Sequence, residues 1–222
     1  MKLSTRTLNI LKNYSEINSQ LLVKSGSLLK TVSAQKTILA QSKVIEVFPN
    51  FAIYDLKQFL SAYSLFSDPD MFFGEKQVLI NGANGTVLNY TYAAPENMIT
   101  PPAKEIKLPS IDAALKITKE ALNAVLRAAG VLSLNEIMVV CDKAKCYLTT
   151  GDTKNSSSNA FKYPLEDSTS SEAFTAVFKI ENLKIIQQNY KVSLSNKGIS
   201  HFVSEDDMEY WIALETSSYM GA

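Results

Sequence analysis

The sequence holds one histidine, His201, one tryptophan, Trp211, and two cysteines, Cys141 and Cys146. One imidazole and two thiols cannot fill a four-ligand zinc site. His201 lies in the β-like run "SHFVSED" with no nucleophile beside it, so it reads as a structural or surface histidine. Glycine is scarce, eight in 222 residues. Its densest group, "NGANG" at 81–85, lacks the following helix and the Lys-Ser/Thr of a phosphate loop, and reads as an Asn-Gly turn. The acidic run "SEDD", Ser204 to Asp207, reads as a turn rather than a metal site. No run of eighteen apolar residues is present, so no helix is expected to span a membrane. "MKLSTRTLNILKN" starts with a charge but has no continuous apolar stretch of the kind a signal peptide needs. The cysteines, in "CDKAKC", are therefore expected to stay reduced on a hairpin in a reducing cytoplasm. These absences exclude the common enzyme classes; the chain reads as non-enzymatic, with no cofactor and no metal.

What is present is an ordinary globular composition, 46% hydrophobic and 20% charged, long enough for one large or two small domains. The formal net charge is +0, which argues against a tight, purely electrostatic nucleic-acid binder. Helical spacing predicts four helices. The first is Ser4 to Ser15, capped by Ser4, with Leu8, Ile10, Leu11 and Tyr14 apolar. The second is Asp55 to Phe66, capped by Asp55, with Leu56, Phe59, Leu60 and Tyr63 apolar. The third lies in "ITKEALNAVLRAAGVL", 117–132, capped by Thr118. Its apolar face is Leu122, Val125, Leu126 and Ala129, and its polar ladder is Lys119, Asn123 and Arg127. The fourth is Ile180 to Asn189. Hairpins are predicted around Ser25-Gly26, Asn84-Gly85 and Asp142-Lys143, and a late strand in "EYWIALE". The loop Thr150 to Ala160 is expected to be exposed and mobile.

Four of the seven prolines, Pro95, Pro101, Pro102 and Pro109, fall in one stretch. Proline lacks a donor and favours extended chain, so 95–110 is expected to link domains at 1–94 and 111–222. The halves echo one another at an offset of 114: Leu3 on Ile117, Ser4 on Thr118, Leu8 on Leu122, and "QVLINGANGTVLNY" on "KVSLSNKGISHFVS". Each half reads helix, strands, helix, strands, an α+β fold. The charge is polarised. The four helix windows and their flanks carry ten basic residues and three acidic, a balance of +7; the remaining twelve basic and nineteen acidic give −7. Taken singly, each basic helix face is solvated surface. If the four share one side, they form a wall that attracts phosphates without reading bases. No aromatic lies on those faces, which favours duplex over stacked single strands.

The runs "MKLS", "LKNYSEINS", "KSG", "AIYDLKQFL", "AVLRAAGVL", "NYKVSL" and "IALE", in this order along the chain, resemble the sliding clamp of T-even-type bacteriophages. The resemblance implies two similar clamp-type domains with helices on one face of antiparallel sheets, and a homotrimer closed into a ring around double-stranded DNA. It implies sequence-independent DNA contact and tethering of the viral DNA polymerase. Further partners would be a clamp loader ATPase and late-transcription factors, in the cytoplasm of the infected bacterial host, with no membrane. Arg6, Lys12, Lys57, Lys119, Asn123, Arg127, Lys184 and Gln188 are then expected to face DNA. "GTVLNYTY" (Gly85 to Tyr92) and "AFKYPL" (Ala160 to Leu165) are expected as subunit-contact edges; Pro164 suits an edge. Met98, Ile99, Pro101, Pro102, Tyr210, Trp211 and Ile212 are expected to form an apolar pocket for partner peptides, the alternative being that Trp211 is core. The competing functions are a non-ring duplex-binding protein using the same helices, an enzyme with a diffuse site, and a structural oligomer with no DNA role.

Overall fold

A computed structural model describes residues 1–142, 145–155, 157–166 and 172–220. The chain divides into two compact units, Met1–Ala103 and Lys104–Ala222, the boundary falling inside the proline-rich stretch. Both are α+β.

In the first unit, α1 (Thr5–Ile17) starts where Ser4 caps it: the Ser4 hydroxyl accepts from the Thr7 amide at 3.2 Å. Its inner face buries Ile10, Leu11, Tyr14 and Ile17, with Leu8 half-buried. Four strands follow: β1 (Leu21–Val23), β2 (Gly26–Val32), β3 (Ile38–Phe48) and β4 (Phe51–Ile53). The runs either side of Ser25-Gly26 are strands, but they do not form the expected hairpin. β1 pairs with β4 and β2 with β3, all antiparallel. Gly26, at φ +127°, turns the chain from one pairing to the other. α2 (Leu56–Tyr63) is capped by Asp55, whose Oδ1 accepts from the Gln58 amide at 2.9 Å. It buries Leu56, Phe59 and Tyr63 and packs against α1, which lies on β2 and β3. The unit ends in a meander, β5 (Asp70–Phe73), β6 (Gln77–Asn81) and β7 (Val87–Thr91), with β7 at its edge. Asn84 at φ 59° and Gly85 at φ 74° turn β6 into β7 as the Asn-Gly chemistry predicts.

In the second unit, β8 (Ala113–Ile117) leads into α3 (Lys119–Leu132). Thr118 caps it by accepting from the Ala121 amide at 3.1 Å. The cap at 118 answers Ser4 at the predicted offset, and the residue before each cap, Leu3 or Ile117, is buried. α3 buries Ala121, Leu122, Val125 and Ala129 on β9 (Glu136–Asp142), β10 (Cys146–Gly151) and β11 (Phe161–Leu165). It ends at Ser133 in the left-handed region, with the Leu134 amide donating back to the Ala129 carbonyl at 2.9 Å. The remaining strands are β12 (Ala173–Lys179), β13 (Tyr190–Ser195), β14 (Ile199–Ser204), β15 (Met208–Ala213) and β16 (Tyr219–Met220). One antiparallel sheet runs β11-β10-β9-β12-β16; β15, β14, β13 and β8 pair in that order in a second. β15 is the late strand expected from "EYWIALE".

Two further expectations fail in the second unit. Cys141 and Cys146 form a disulfide rather than staying reduced. The hairpin is where it was predicted, though Lys143 of its turn lies outside the described residues. Its register sets the two cysteines directly opposite, with Cα atoms 4.1 Å apart, which is why they meet. The loop 150–160 begins inside β10, at Thr150 and Gly151; Ser156 lies outside the described residues, and Asp152–Asn155 are exposed.

The second failure is the fourth helix. Only Ile180–Asn182 turn, as a single 3-10 element with no side-chain cap, and the chain then runs irregularly to β13. The Ile186 amide donates to the Tyr210 hydroxyl at 3.1 Å, and the Ile186 carbonyl accepts from the Tyr190 hydroxyl. Both backbone groups that a helix would have used are thus satisfied from β13 and β15. Burial pushes the Tyr190 and Tyr210 hydroxyls far above the ordinary tyrosine range, so both stay protonated as donors. Tyr210 passes its own proton toward the Met208 sulfur at 3.2 Å.

Candidate nucleic-acid interface

The three helices hold most of the basic residues singled out above, but they do not hold them equally. On α1, Lys12 is exposed. Arg6 is turned inward along the unit's own surface: its guanidinium donates to the Lys43 carbonyl at 2.5 Å and to the Ser42 hydroxyl at 3.2 Å. From the same strand, buried Glu46 reaches the start of α1. Its two oxygens accept from the Ser4 amide and the Thr7 hydroxyl, each at 2.5 Å. Burial opposes the Glu46 charge, yet these hydrogen bonds outweigh it and hold the carboxyl below its ordinary range. Arg6 and Glu46 are therefore an anchor of α1 on β3. On α2, Lys57 is exposed and pairs with Glu16 of α1 at 2.9 Å, so the polar faces of the two helices are contiguous.

On α3, Lys119 and Arg127 are exposed, two turns apart. Asn123 between them is half-buried and its Oδ1 is enclosed without a hydrogen-bond partner among the described residues. The ladder therefore reaches solvent at its two ends. Lys184 is exposed but sits on irregular chain rather than on a helix, and Gln188 is half-buried with its amide nitrogen 3.9 Å from the Met208 sulfur. Irregular chain nonetheless brings Gln188 to α3. Lys119, Glu120, Gln188, Asn189, Glu205 and Asp206 line one surface depression of about 360 Å³. Asn189 fixes that end of α3 by accepting from the Lys119 amide at 2.9 Å.

Comparison with known proteins agrees with this architecture. Residues 114–216 match the family described as "gp45 sliding clamp, C terminal". The chain is 33% identical to the sliding clamp of Vibrio phage KVP40 over 221 residues, covering 97% of this chain and 99% of that one. It is 29% identical to the sliding clamp of Enterobacteria phage T4, covering 98% of each. The chain belongs to the sliding clamp family. Solved structures show the same fold at much lower identity. The PCNA2-PCNA3 complex of Sulfolobus tokodaii superposes with a TM-score of 0.66 at 10% identity, covering 94% of this chain and 95% of that one. The Helicobacter pylori beta clamp bound to a DNA ligase peptide superposes with a TM-score of 0.73 at 11% identity, covering 97% of this chain and 65% of that one.

The remaining candidate residues lie on sheet edges and along the proline-rich stretch. β7 is the edge of its meander and alternates between exposed and half-buried residues; β11 is the edge of its sheet, with Phe161 and Pro164 exposed. Along the proline-rich stretch, Met98 and Pro101 are half-buried and Pro102 is exposed. Ile99 presents its side chain at 40% exposure while its backbone is held: its amide donates to the Gln20 side chain at 3.0 Å and its carbonyl accepts from Asn18 at 3.4 Å. In the other unit, Tyr210 and Ile212 are fully buried and belong to the interior. Trp211, on the other face of β15, is also buried, stacked on His201 with ring centroids 4.4 Å apart, and its indole N–H has no hydrogen-bond partner among the described residues. His201 in turn meets Glu209 at 2.8 Å.

Lys116 and Lys191 are among the ten basic residues of the helix windows and flanks but not in the set expected to face DNA. Both are exposed and stand directly opposite one another on β8 and β13. Among the described residues no helix is long and apolar enough to cross a membrane.

Proposed function

We propose that three copies of this chain close into a ring around duplex DNA and tether the phage DNA polymerase, giving processive replication in the host cytoplasm. The observation that carries this reading is the end-to-end match to a phage sliding clamp, which covers both units rather than one. The distribution of charge supports it. Lys12, Lys57, Lys119, Arg127 and Lys184 are exposed on or beside helices in a chain of zero net charge. Base-blind lysine and arginine contacts suit a protein that must slide, and a neutral whole keeps it from sticking. Holding on then comes from topology rather than affinity.

The ring would close head to tail, the β7 edge of one copy meeting the β11 edge of the next, since unpaired strand edges continue readily into a neighbour's sheet. A clamp loader ATPase would open it. Ile99, exposed on a pinned backbone, together with Met98, Pro101 and Pro102, is the apolar element on offer to the tail peptides of polymerase and late-transcription factors.

Two measurements test the reading. The mass in solution should approach three times 24.5 kDa; a monomer at all concentrations would overturn the ring. The double substitution Lys119→Glu with Arg127→Glu should leave that mass unchanged while polymerase extension on a primed circle becomes distributive. Unaltered extension at physiological salt would remove α3 from the DNA-facing surface.

A further inference from the structure

The corner of the second unit that carries the start of α3 gathers cations from three elements. Lys116 on β8 and Lys191 on β13 are directly opposite, a register in which like charges repel. Lys119 opens α3 three residues beyond Lys116. The tight turn between β14 and β15 comes to the same corner and is acidic. Ser204 holds the turn: its hydroxyl accepts from the Met208 amide at 2.9 Å and donates to Asp206 at 2.5 Å, while Asp207 takes the left-handed conformation at φ 57°. Two adjoining depressions flank it. One, of about 370 Å³, is lined by Lys116, Thr118, Lys191 and Asp207 among others. The other is the depression shared by Lys119 and Gln188. Glu205 is exposed and lines both depressions, the one with Lys116 and Lys191 and the one with Lys119, whereas Asp207 lines only the first and Asp206 only the second. Asp206 is engaged in the turn, and Glu120 sits in the first turn of α3, where a carboxylate is favoured by the helix dipole. Neither accounts for Glu205.

We propose that Glu205 is a built-in electrostatic brake on DNA contact, a fixed anion that lowers the positive field which Lys116, Lys119 and Lys191 present to phosphates. The proposal rests on the reading of α3 as DNA-facing. A clamp needs weak, rapidly exchanged phosphate contacts, and a carboxylate inside a lysine cluster supplies that without removing the lysines. One unit charge about 8 Å from a phosphate changes affinity roughly two-fold in water, and more where solvent is partly excluded. The effect should fade beyond the Debye length, about 8 Å at physiological salt.

The test is fluorescence anisotropy of a labelled 30-base-pair duplex with the intact protein, titrated across salt. Wild type, Glu205→Gln, Lys119→Gln and the double variant are compared at equal solution mass. Glu205→Gln should tighten binding about two- to four-fold at 50 mM salt, steepen the salt dependence, and converge on wild type near 0.5 M. In the Lys119→Gln background the gain should shrink. If Glu205→Gln changes nothing while Lys119→Gln weakens binding, the brake is overturned and the DNA-facing surface stands. If neither substitution changes binding, the surface itself is wrong and the brake falls with it.

Discussion

The first helix of each unit is set by a hydroxyl cap, at Ser4 and at Thr118, yet the units secure their next segments by opposite means. The first unit uses charged and local groups. Glu46 and Arg6 bind α1 to β3, and Asp55 starts α2 from its own neighbouring residue. The second unit uses buried tyrosines. Tyr190 and Tyr210 take both backbone groups of Ile186 and hold 183–189 as irregular chain where a helix was predicted. A side chain that caps a helix end permits the ladder to continue; one that captures a mid-segment amide and carbonyl ends it. Similar amphipathic patterns therefore give α2 in one place and a single 3-10 turn in the other.

The largest effect should come from the anchor of α1. Glu46→Ala removes two hydrogen bonds to a charge and leaves the Ser4 amide and buried Thr7 hydroxyl short of an acceptor, a cost of about 3 kcal/mol. Chemical denaturation should show a lower midpoint with an unchanged slope. The sign of the pH effect follows from the depressed carboxyl. The unfolded chain takes up the proton first, near pH ~4.3. The stabilisation is therefore complete above that value and lost as pH falls through the lower, folded-state pKa. The variant should lose less stability than wild type across that acid window; parallel acid titrations would refute the anchor.

Next is Tyr210→Phe, which strands the Ile186 amide inside the second unit and should cost about 1–3 kcal/mol. Hydrogen exchange at Ile186 should accelerate selectively. If instead circular dichroism shows added helix, the tyrosine was all that prevented a fourth helix, and the contrast between the units reduces to one hydroxyl.

What was legible in the sequence was what neighbours decide. Ser4, Asp55 and Thr118 are caps because their oxygens reach an amide three residues on, and Asn84-Gly85 turns because both residues tolerate positive φ. Illegible were the choices made by distant partners. Gly26 separates two strands that pair with others, and Ile186 answers to a tyrosine 24 residues away. The candidate interface divides in the same way. Exposed Lys12, Lys119 and Arg127 follow from helical periodicity, whereas Arg6 was diverted by Lys43 and Ser42, and Asn123 was enclosed by packing that no spacing announces.

A smaller effect separates local caps from tertiary ones. Asp55→Ala should cost about 1 kcal/mol, since one amide returns to water or a weaker partner. Lys179→Asp, which offers a cap where the 3-10 turn begins, should gain nothing measurable, because Tyr190 and Tyr210 still hold Ile186. A gain of helix or of stability there would mean that the missing cap, and not the tyrosines, is what the second unit lacks.

The smallest effect is at the surface between α1 and α2. Lys57 and Glu16 are 2.9 Å apart but both side chains are more than half exposed. Such a pair contributes about 0.2–1 kcal/mol and is screened by salt. Lys57→Gln should therefore barely move the unfolding midpoint. Lys57 is also one of the residues expected to face DNA, and there a single lost phosphate contact lowers the slope of log affinity against log salt by about 0.9. Stability and DNA contact thus part company at this residue. A stability loss as large as that of Asp55→Ala, with an unchanged salt slope, would make Lys57 a structural strut between the helices. The opposite pattern would place it on the DNA-facing surface, with Glu16 restraining it much as Glu205 is proposed to restrain the lysines at the start of α3.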